Sequence, residues 1–143
     1  MTRGDMVLAA LQYYGQEAIA GGASNPVVVG FFQKAGHADV TNDDTPWCAA
    51  FLDAIARQVG APRSSSLLAT DWLSVGFRVD TPAFGDIVVF DWSKVGSTGH
   101  HVGIVVAVTG PIIWCLGGNQ ENRVEIRGYK IEAVAGYRRL LAE

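Results

Sequence analysis

Hydrophobic residues in the first third of the chain recur at the spacing of α-helices. Apolar side chains between Asp5 and Tyr14 repeat every three or four residues, and Gly15 is expected to end this first helix. A second helix is predicted from Pro26 to about residue 35, because proline is favoured at the first helical position after an asparagine N-cap, here Asn25. The N-terminal part of the chain is therefore expected to be helical.

A third predicted helix follows a polar stretch and again has apolar residues at helical spacing. It is expected to have Thr45 as its N-cap and Pro46 in its first position, and to end at Gly60. A glycine-rich loop at residues 21–24 is expected to join the first two helices, and a shorter helix is predicted at residues 66–74. The apolar residues that set the periodicity of the third helix are Leu52, Ile55, Ala56 and Val59.

From Asp86 onward the pattern changes to short runs rich in β-branched residues, separated by glycine, proline and asparagine. Such runs are typical of an antiparallel sheet. Helices followed by strands predict an α+β domain, in which N-terminal helices pack on one side of a C-terminal antiparallel β-sheet. The predicted strands are 87–90, 102–108, 112–116, 124–126 and 134–137.

Composition limits the classes of function. With 143 residues and 15.3 kDa, the chain is expected to form a single domain, residues 1–143. Its net charge of -3 and its lack of a Lys/Arg run argue against nucleic-acid binding. No apolar run is long enough to span a membrane, and the apolar stretch at residues 7–11 lacks the features of a signal peptide. We therefore expect a monomer that is made in the cytoplasm and binds neither nucleic acid nor membrane.

The two cysteines, Cys48 and Cys115, are too few and too far apart in the sequence to suggest a disulfide framework. If Thr45 caps the third helix, Cys48 lies in its first turn, where unpaired N–H groups and the helix dipole lower the pKa of a thiol. The same N–H groups can bind the oxyanion that forms when a thiolate attacks a carbonyl. Cys115 lies within an apolar strand and is expected to serve packing. Cys48 is therefore the candidate nucleophile.

A thiol nucleophile needs a base, and the chain has three histidines. His37 lies in a polar loop, whereas His100 and His101 open a predicted strand and must point to opposite faces. His101 shares its face with Gly103, and a glycine there would leave room for a substrate or a partner helix. This spacing favours His101 as the base and leaves His100 as the alternative.

A third group should orient the imidazole. Asn119 ends the next predicted strand, and a hairpin of this length can return Asn119 towards His101. An ordinary turn residue is an equally good interpretation of an asparagine that follows two glycines. The residues alone leave both interpretations of Asn119 open.

The order of these candidates resembles the papain-like amidohydrolases of bacterial cell walls, which are the NlpC-type and CHAP (cysteine, histidine-dependent amidohydrolase/peptidase) families. The chain is most similar to a CHAP-like group of short bacterial and phage proteins. Six motifs in the same order carry the resemblance, which covers nearly the whole chain, from about Leu8 to Arg139. The motifs are NP at 25–26, DTPWCAAF at 44–51, GDIVVF at 85–90, HVGIV at 101–105, GGNQ at 117–120 and GYRR at 136–139.

The resemblance implies a papain-like fold with Cys48 as nucleophile, His101 as general base and later acid, and Asn119 as the orienting group. It also implies a peptidoglycan substrate that is cleaved at an amide bond in or next to the stem peptide. No metal or other cofactor is required. Three further residues are expected to contact the substrate: Trp47, His100 and Gly103.

The chain departs from the family pattern at two positions. The family usually has glycine where this chain has His100, so His100 stays a rival base. Many CHAP enzymes carry a glutamate at the position of Gly117, so any role of that glutamate is absent here. Asp86 matches a recurring position, and a turn-stabilising role before a strand is favoured over a catalytic one.

Other functions compete with this one. A zinc hydrolase could use His100 and His101 with an Asp or Cys, but no paired metal-ligand spacing occurs. A non-catalytic cell-wall binding module and a cysteine hydrolase or deamidase of protein substrates are further alternatives. A cell-wall hydrolase without a signal peptide fits either a phage lysin (endolysin) or an antibacterial effector. It would act on the wall after release or export, and an effector would need an immunity protein as its partner.

Overall fold

A computed structural model describes residues 1–19 and 23–143, so residues 21 and 22 of the predicted glycine-rich loop lie outside the described residues. Helices come first along the chain, as predicted. The α-helices are α1 (Arg3–Leu11), α2 (Pro26–Lys34) and α3 (Cys48–Val59). A 3₁₀ helix, Ala69–Ser74, follows them within the region predicted as a shorter helix.

The first two helices are set by side-chain caps. α1 begins two residues before the predicted start, because Thr2 and Asp5 form a reciprocal capping box in which each side chain accepts a backbone N–H of the other. α2 begins where predicted, and Oδ1 of Asn25 accepts the N–H of Val27 at 2.9 Å. Local hydrogen bonding of polar side chains therefore fixes where both helices start.

The start of α3 was predicted wrongly, and the difference bears on the candidate nucleophile. Cys48 is the first residue of the helix, and Trp47 is in the cap position without a side-chain cap hydrogen bond. Thr45 lies before the cap position, and its N–H (3.2 Å) and its hydroxyl (3.3 Å) both donate to Oδ1 of Asn42. The predicted end is confirmed: Gly60 terminates α3 in the left-handed region, with φ of 73°.

The C-terminal half forms one six-stranded sheet in which every neighbouring pair is antiparallel, which confirms the α+β prediction. Its order is β1-β6-β2-β3-β4-β5. β1 was missed by the sequence analysis because it has only three residues and lacks a run of β-branched side chains. The strands are β1 (Phe77–Val79), β2 (Ile87–Asp91), β3 (His100–Thr109), β4 (Ile112–Gln120), β5 (Arg123–Lys130) and β6 (Val134–Arg139).

α1 and α3 pack on one face of the sheet, α2 packs on α3, and this side of the sheet holds the larger part of the core. Its centre is aromatic: the ring of Phe31 stacks on Trp47 and meets Phe51 edge to face. A smaller apolar cluster, which includes Phe90 and Cys115, lies on the other face of the sheet. Within the described residues, none of the helices has the length and apolar character needed to cross a membrane.

Candidate active site

Cys48 lies at the first residue of α3 and is 8% exposed. It contributes to the wall of a surface hollow of about 340 Å³, so a molecule in this hollow would reach its side chain. The surroundings are mainly apolar, with hydroxyl groups and one imidazole at the margins. The other lining residues are Thr45, Pro46, Leu67, Leu68, Ala69, Thr70 and His100.

His101, the second residue of β3, is 7% exposed and interacts with the Cys48 thiol. Burial raises the pKa of Cys48, but the hydrogen bond and charge of His101 and the backbone N–H groups of Val102 and Ala49 outweigh burial and lower it overall. Burial in turn lowers the pKa of His101, and hydrogen bonds to Cys115 and Cys48 outweigh burial, so that the pKa rises to about 10. Both shifts favour a thiolate paired with an imidazolium.

Aromatic rings surround the imidazole of His101. Phe90 and Trp92 lie nearly parallel to it, with ring centroids 6.1 and 6.4 Å away, and Tyr129 is tilted at 5.7 Å. Burial raises the pKa of Tyr129 above its usual range, so this phenol stays neutral. The rings therefore enclose one side of His101 in an uncharged, largely apolar wall.

The side chain that hydrogen-bonds the imidazole is Gln120, whose Oε1 lies 2.8 Å from Nε2 of His101. The amide nitrogen of Gln120 donates to the carbonyl oxygens of Cys115 (3.2 Å) and Glu125 (2.8 Å). The predicted orienting residue was its neighbour Asn119. The two residues are adjacent in the same motif, and the hydrogen bond to the imidazole is made by Gln120.

The backbone of β4 explains this difference. Pairing between β4 and β5 shifts register between Gly117 and Gln120, and Asn119 has φ of 56°. Such a bulge changes the face on which the following side chain lies. Asn119 instead borders a separate small hollow, whose other lining residues are Ala18, Ile19, Asp43, Asp44 and Asn122. Strict alternation along a strand gave no signal for the bulge, although the two glycines before Asn119 are typical of such irregularity.

Two of the three residues expected to contact substrate lie elsewhere. Trp47 is completely buried and stacks on Phe31, so it belongs to the core. Gly103 is also buried, and a Cβ there would lie 2.3 Å from Sγ of Cys115. The space next to Gly103 is therefore filled by a side chain of the protein itself and not by a substrate or a partner helix.

Cys115 was interpreted as a packing residue, and it is fully buried. It is also a neighbour of the candidate site, because its thiol contributes to the raised pKa of His101 and its carbonyl oxygen accepts a hydrogen bond from the amide nitrogen of Gln120. The sequence held one signal for this placement. Cys115 and Gly117 are two residues apart on a strand and therefore share a face, so a site beside Gly117 would also lie beside Cys115.

His100 and His101 point to different surroundings, as the alternation predicts. His100 lines the hollow beside Cys48, and its Nε2 lies 3.7 Å from Oδ1 of Asp91. His37 is away from this hollow, with its Nε2 2.8 Å from the carbonyl oxygen of Ser65. Of the three histidines, His101 is the one that interacts with the Cys48 thiol.

Asp86, for which a turn-stabilising role was favoured, has hydrogen bonds that fit such a role. Asp86 is fully buried, accepts two hydrogen bonds from Arg139 at 2.8 Å and accepts the N–H of Ala83 at 2.7 Å.

In residues 1–19 and 23–143, no three His, Cys, Asp or Glu side chains cluster as metal ligands would. The zinc alternative therefore lacks a ligand set in that part of the chain.

Comparison with known proteins supports the same architecture. A family profile described as "CHAP domain" matches residues 40–119, which include Cys48, His101 and Asn119. No curated protein matches the chain. Two solved structures are similar over 99% of this chain. An NlpC/P60 family protein from Bacillus cereus ATCC 10987 gives a TM-score of 0.63 at 21% identity. A "similar to lipoprotein, NLP/P60 family" protein from Staphylococcus aureus subsp. aureus Mu50 gives 0.54 at 15% identity.

The chain aligns with 41% and 42% of those two solved chains, so it spans about two fifths of their length. At this level of identity the likeness concerns the fold. The helices and the antiparallel sheet form a papain-like α+β domain, as the resemblance implied.

Proposed function

Since the chain belongs to the CHAP domain family, a family of cell-wall peptidases and amidases, we propose that it hydrolyses an amide bond in or next to the stem peptide of peptidoglycan. The single observation that carries this proposal is the interaction of Cys48 with His101 at the edge of an open hollow. The apolar wall formed by Leu67, Leu68 and Ala69 suits the small methyl side chains of alanine, which the stem peptide contains.

In the first half of the proposed reaction, the Cys48 thiolate attacks the amide carbonyl carbon and forms a C–S bond. In this proposal the backbone N–H of Cys48, the first residue of α3, stabilises the oxyanion. The His101 imidazolium then gives its proton to the leaving nitrogen as the C–N bond breaks. This yields a thioester on Cys48 and a free amine.

In the second half, His101 accepts a proton from water while the water oxygen attacks the thioester carbon. The C–S bond breaks, the carboxylic acid leaves, and the thiolate–imidazolium pair of Cys48 and His101 is restored. Each turnover therefore consumes one water molecule and one amide bond.

The test is release of soluble peptides from purified sacculi, followed by mass spectrometry of the products. The wild type should release fragments with new amine and carboxyl ends, and the masses separate an endopeptidase from an N-acetylmuramoyl-L-alanine amidase. Cys48→Ala should abolish release while its circular dichroism spectrum stays that of the wild type. A folded Cys48→Ala protein that still releases peptides would overturn the proposal.

The same assay separates the two alternatives. A cell-wall binding module would sediment with sacculi without releasing any product, and a deamidase of protein substrates would release ammonia from glutamine-containing proteins but leave sacculi intact.

We propose that the protein acts on the wall as a monomer, either as a phage lysin or as an exported antibacterial effector. Co-purification of an immunity protein with the Cys48→Ala variant would favour the effector.

A further inference from the structure

The small hollow that Asn119 borders has a volume of about 200 Å³, and most of its lining side chains carry oxygen atoms. We propose that this hollow binds a primary ammonium group of the substrate, such as the side-chain amine of the diamino acid in the stem peptide. The identity of the substrate rests on the proposed function, whereas binding of an ammonium group can be measured without cleavage. We call this site the acidic hollow, and its polar residues are Asp43, Asp44, Asn119 and Asn122.

Asp43 provides a buried negative charge in the wall of the acidic hollow. It is 3% exposed, and its Oδ2 accepts the N–H groups of Ile19 at 2.9 Å and of Asn25 at 2.8 Å. Burial raises the pKa of Asp43, but the hydrogen bonds from the backbone of Asn25 and Ile19 outweigh burial and lower it overall. Within the described residues, Oδ1 of Asp43 has no hydrogen-bond partner. The wall therefore contains an ionised carboxylate with one oxygen still able to accept.

The carboxylates of the acidic hollow lack an ion-pair partner among the residues that the structure describes. Neither Asp43 nor Asp44 forms a salt bridge there. Arg123, the residue after Asn122, is already paired with Glu17 at 2.9 Å. A buried carboxylate has lost hydration, and a cation nearby compensates for that loss. The acidic hollow therefore favours a positively charged ligand.

The oxygen atoms of the acidic hollow suit an ammonium group better than a metal ion. An ammonium group has three N–H donors and no acceptor, and Asp44, Asn119 and Asn122 all carry acceptor oxygens in side chains that are at least partly exposed. Calcium takes about six to eight oxygen ligands, whereas Oδ2 of Asp43 is already occupied by two N–H groups. The hollow is also several times larger than the roughly 30 Å³ that one water molecule occupies in the liquid, so it has room for an aminoalkyl chain.

The acidic hollow adjoins the candidate active site at two points of the chain. Asp44 precedes Thr45, which lines the hollow beside Cys48. Asn119 precedes Gln120, whose side chain binds the imidazole of the site. Because consecutive Cα atoms are only about 3.8 Å apart, the two hollows are neighbours. A peptide whose amide carbonyl lies at the thiol can therefore place a side chain in the acidic hollow.

The first experiment titrates the ¹⁵N-labelled Cys48→Ala variant with Nα-acetyl-L-lysine amide, and with the same molecule acetylated on its side-chain nitrogen. NMR signals of the Asn119 and Asn122 side-chain amides report binding without cleavage. The ammonium probe should shift both signals and bind about 10- to 100-fold more tightly than the acetylated probe, the range expected for hydrogen bonds to a charged group. Equal binding of the two probes, or no shift from either, would overturn the proposal whether or not the protein cleaves sacculi.

Asp44→Asn tests the charge, and Asp39→Asn is its matched control. Both aspartates are exposed residues of the same polar stretch, but Asp39 does not line the acidic hollow. In the Cys48→Ala background, Asp44→Asn should abolish the preference for the ammonium probe, and Asp39→Asn should keep it. An equal loss in the two variants would mean that only the net charge of the protein attracts the probe, and the proposal would be wrong.

Turnover connects the acidic hollow with the proposed function. Asp44→Asn should raise KM about 10-fold or more for a soluble stem-peptide amide with a free side-chain amine, with little change in kcat. If the lysine probe binds in the hollow but sacculi stay intact, the proposed function fails and the ammonium site stands. Calcium chloride is the competing probe. If calcium shifts the Asn119 and Asn122 signals and the lysine probe does not, the hollow is a metal site and the proposal is overturned.

Discussion

The Cys48 thiol and the His101 imidazole shift each other's pKa in opposite directions, although they come from a helix and a strand more than 50 residues apart in the chain. The pKa of Cys48 falls below its ordinary value of 9.0, and that of His101 rises from 6.5 to about 10. Each charge stabilises the other in surroundings that would penalise either one alone. The pair is therefore ionised over a range of pH in which a free thiol and a free imidazole would both be neutral.

The first prediction concerns the reactivity of Cys48. A group with a lowered pKa loses its proton at lower pH, so alkylation of Cys48 by iodoacetamide should reach its plateau with a midpoint below 9.0. In His101→Ala, the partner that lowers the pKa is absent while burial remains, so the midpoint should move up. Peptide mass spectrometry at each pH assigns the modification to Cys48. A wild-type midpoint at or above 9.0 would contradict the ionised pair.

The second prediction separates the two neighbouring histidines. His101→Ala should lower kcat for peptide release by about 10²- to 10⁴-fold, which is the usual contribution of a general acid–base group. His100→Ala should act mainly on KM, because His100 lines the hollow but does not interact with the thiol. Steady-state kinetics on a soluble stem-peptide amide measure both. An equal loss of kcat in the two variants would make His100 a second proton-transfer group.

Most of the fold followed from the sequence because its signals are local. The Asn25–Pro26 start of α2 and the Gly60 end of α3 are short-range hydrogen-bonding and backbone effects, and both were predicted correctly. The start of α3 was predicted wrongly: the N–H and the hydroxyl of Thr45 donate to Asn42, and the helix begins at Cys48, two residues after the predicted first position. A Thr-Pro pair therefore did not by itself determine where the helix starts.

The candidate site was predicted less completely, because its third polar group depends on a strand irregularity. Alternation along β4 carries through to Gly117, and beyond it the bulge changes which side chain faces His101. Gly103 was predicted to leave open space because the pattern along one strand does not show what the neighbouring strand contributes. The pattern shows that a glycine is present, but it does not show that Cys115 from the next strand fills its place.

The third prediction tests this close packing. Gly103→Ala places a Cβ 2.3 Å from Sγ of Cys115 and 3.1 Å from the carbonyl oxygen of Leu116, so one of them must move. Overpacking of this kind costs about 1–3 kcal/mol of the free energy of unfolding. Urea denaturation followed by tryptophan fluorescence measures the change. Adding Cys115→Ala should recover part of the loss, because it removes the nearer atom.

Gly30→Ala in α2 is the control for the third prediction. Apart from its chain neighbours and the backbone of its own helix, nothing lies within 4 Å of the position of its Cβ, and alanine is favoured over glycine within a helix. This variant should be as stable as the wild type or more so. If Gly103→Ala is equally well tolerated, the contact between positions 103 and 115 is looser than the structure indicates.

The fourth prediction concerns the ion pair between Asp86 and Arg139, which ties the residue before β2 to the last residue of β6. Both carboxylate oxygens of Asp86 accept a hydrogen bond from Arg139 at 2.8 Å, and one also accepts the N–H of Ala83. Asp86→Ala leaves this partly buried N–H without its acceptor and the guanidinium without its partner. The cost should be about 2–3 kcal/mol, below the 3–5 kcal/mol typical of a fully buried pair, because the Arg139 side chain is partly exposed.

Asp80→Ala is the matched aspartate control, since Asp80 pairs with Arg78 at 3.3 Å but both side chains are largely exposed. Exposed pairs contribute little, so the midpoint of urea denaturation should not change measurably. In Asp86→Ala the midpoint should fall, while the pH profile of Cys48 alkylation should stay that of the wild type at low urea. An altered alkylation profile in a folded Asp86→Ala protein would instead link Asp86 to the Cys48–His101 pair and contradict its purely structural role.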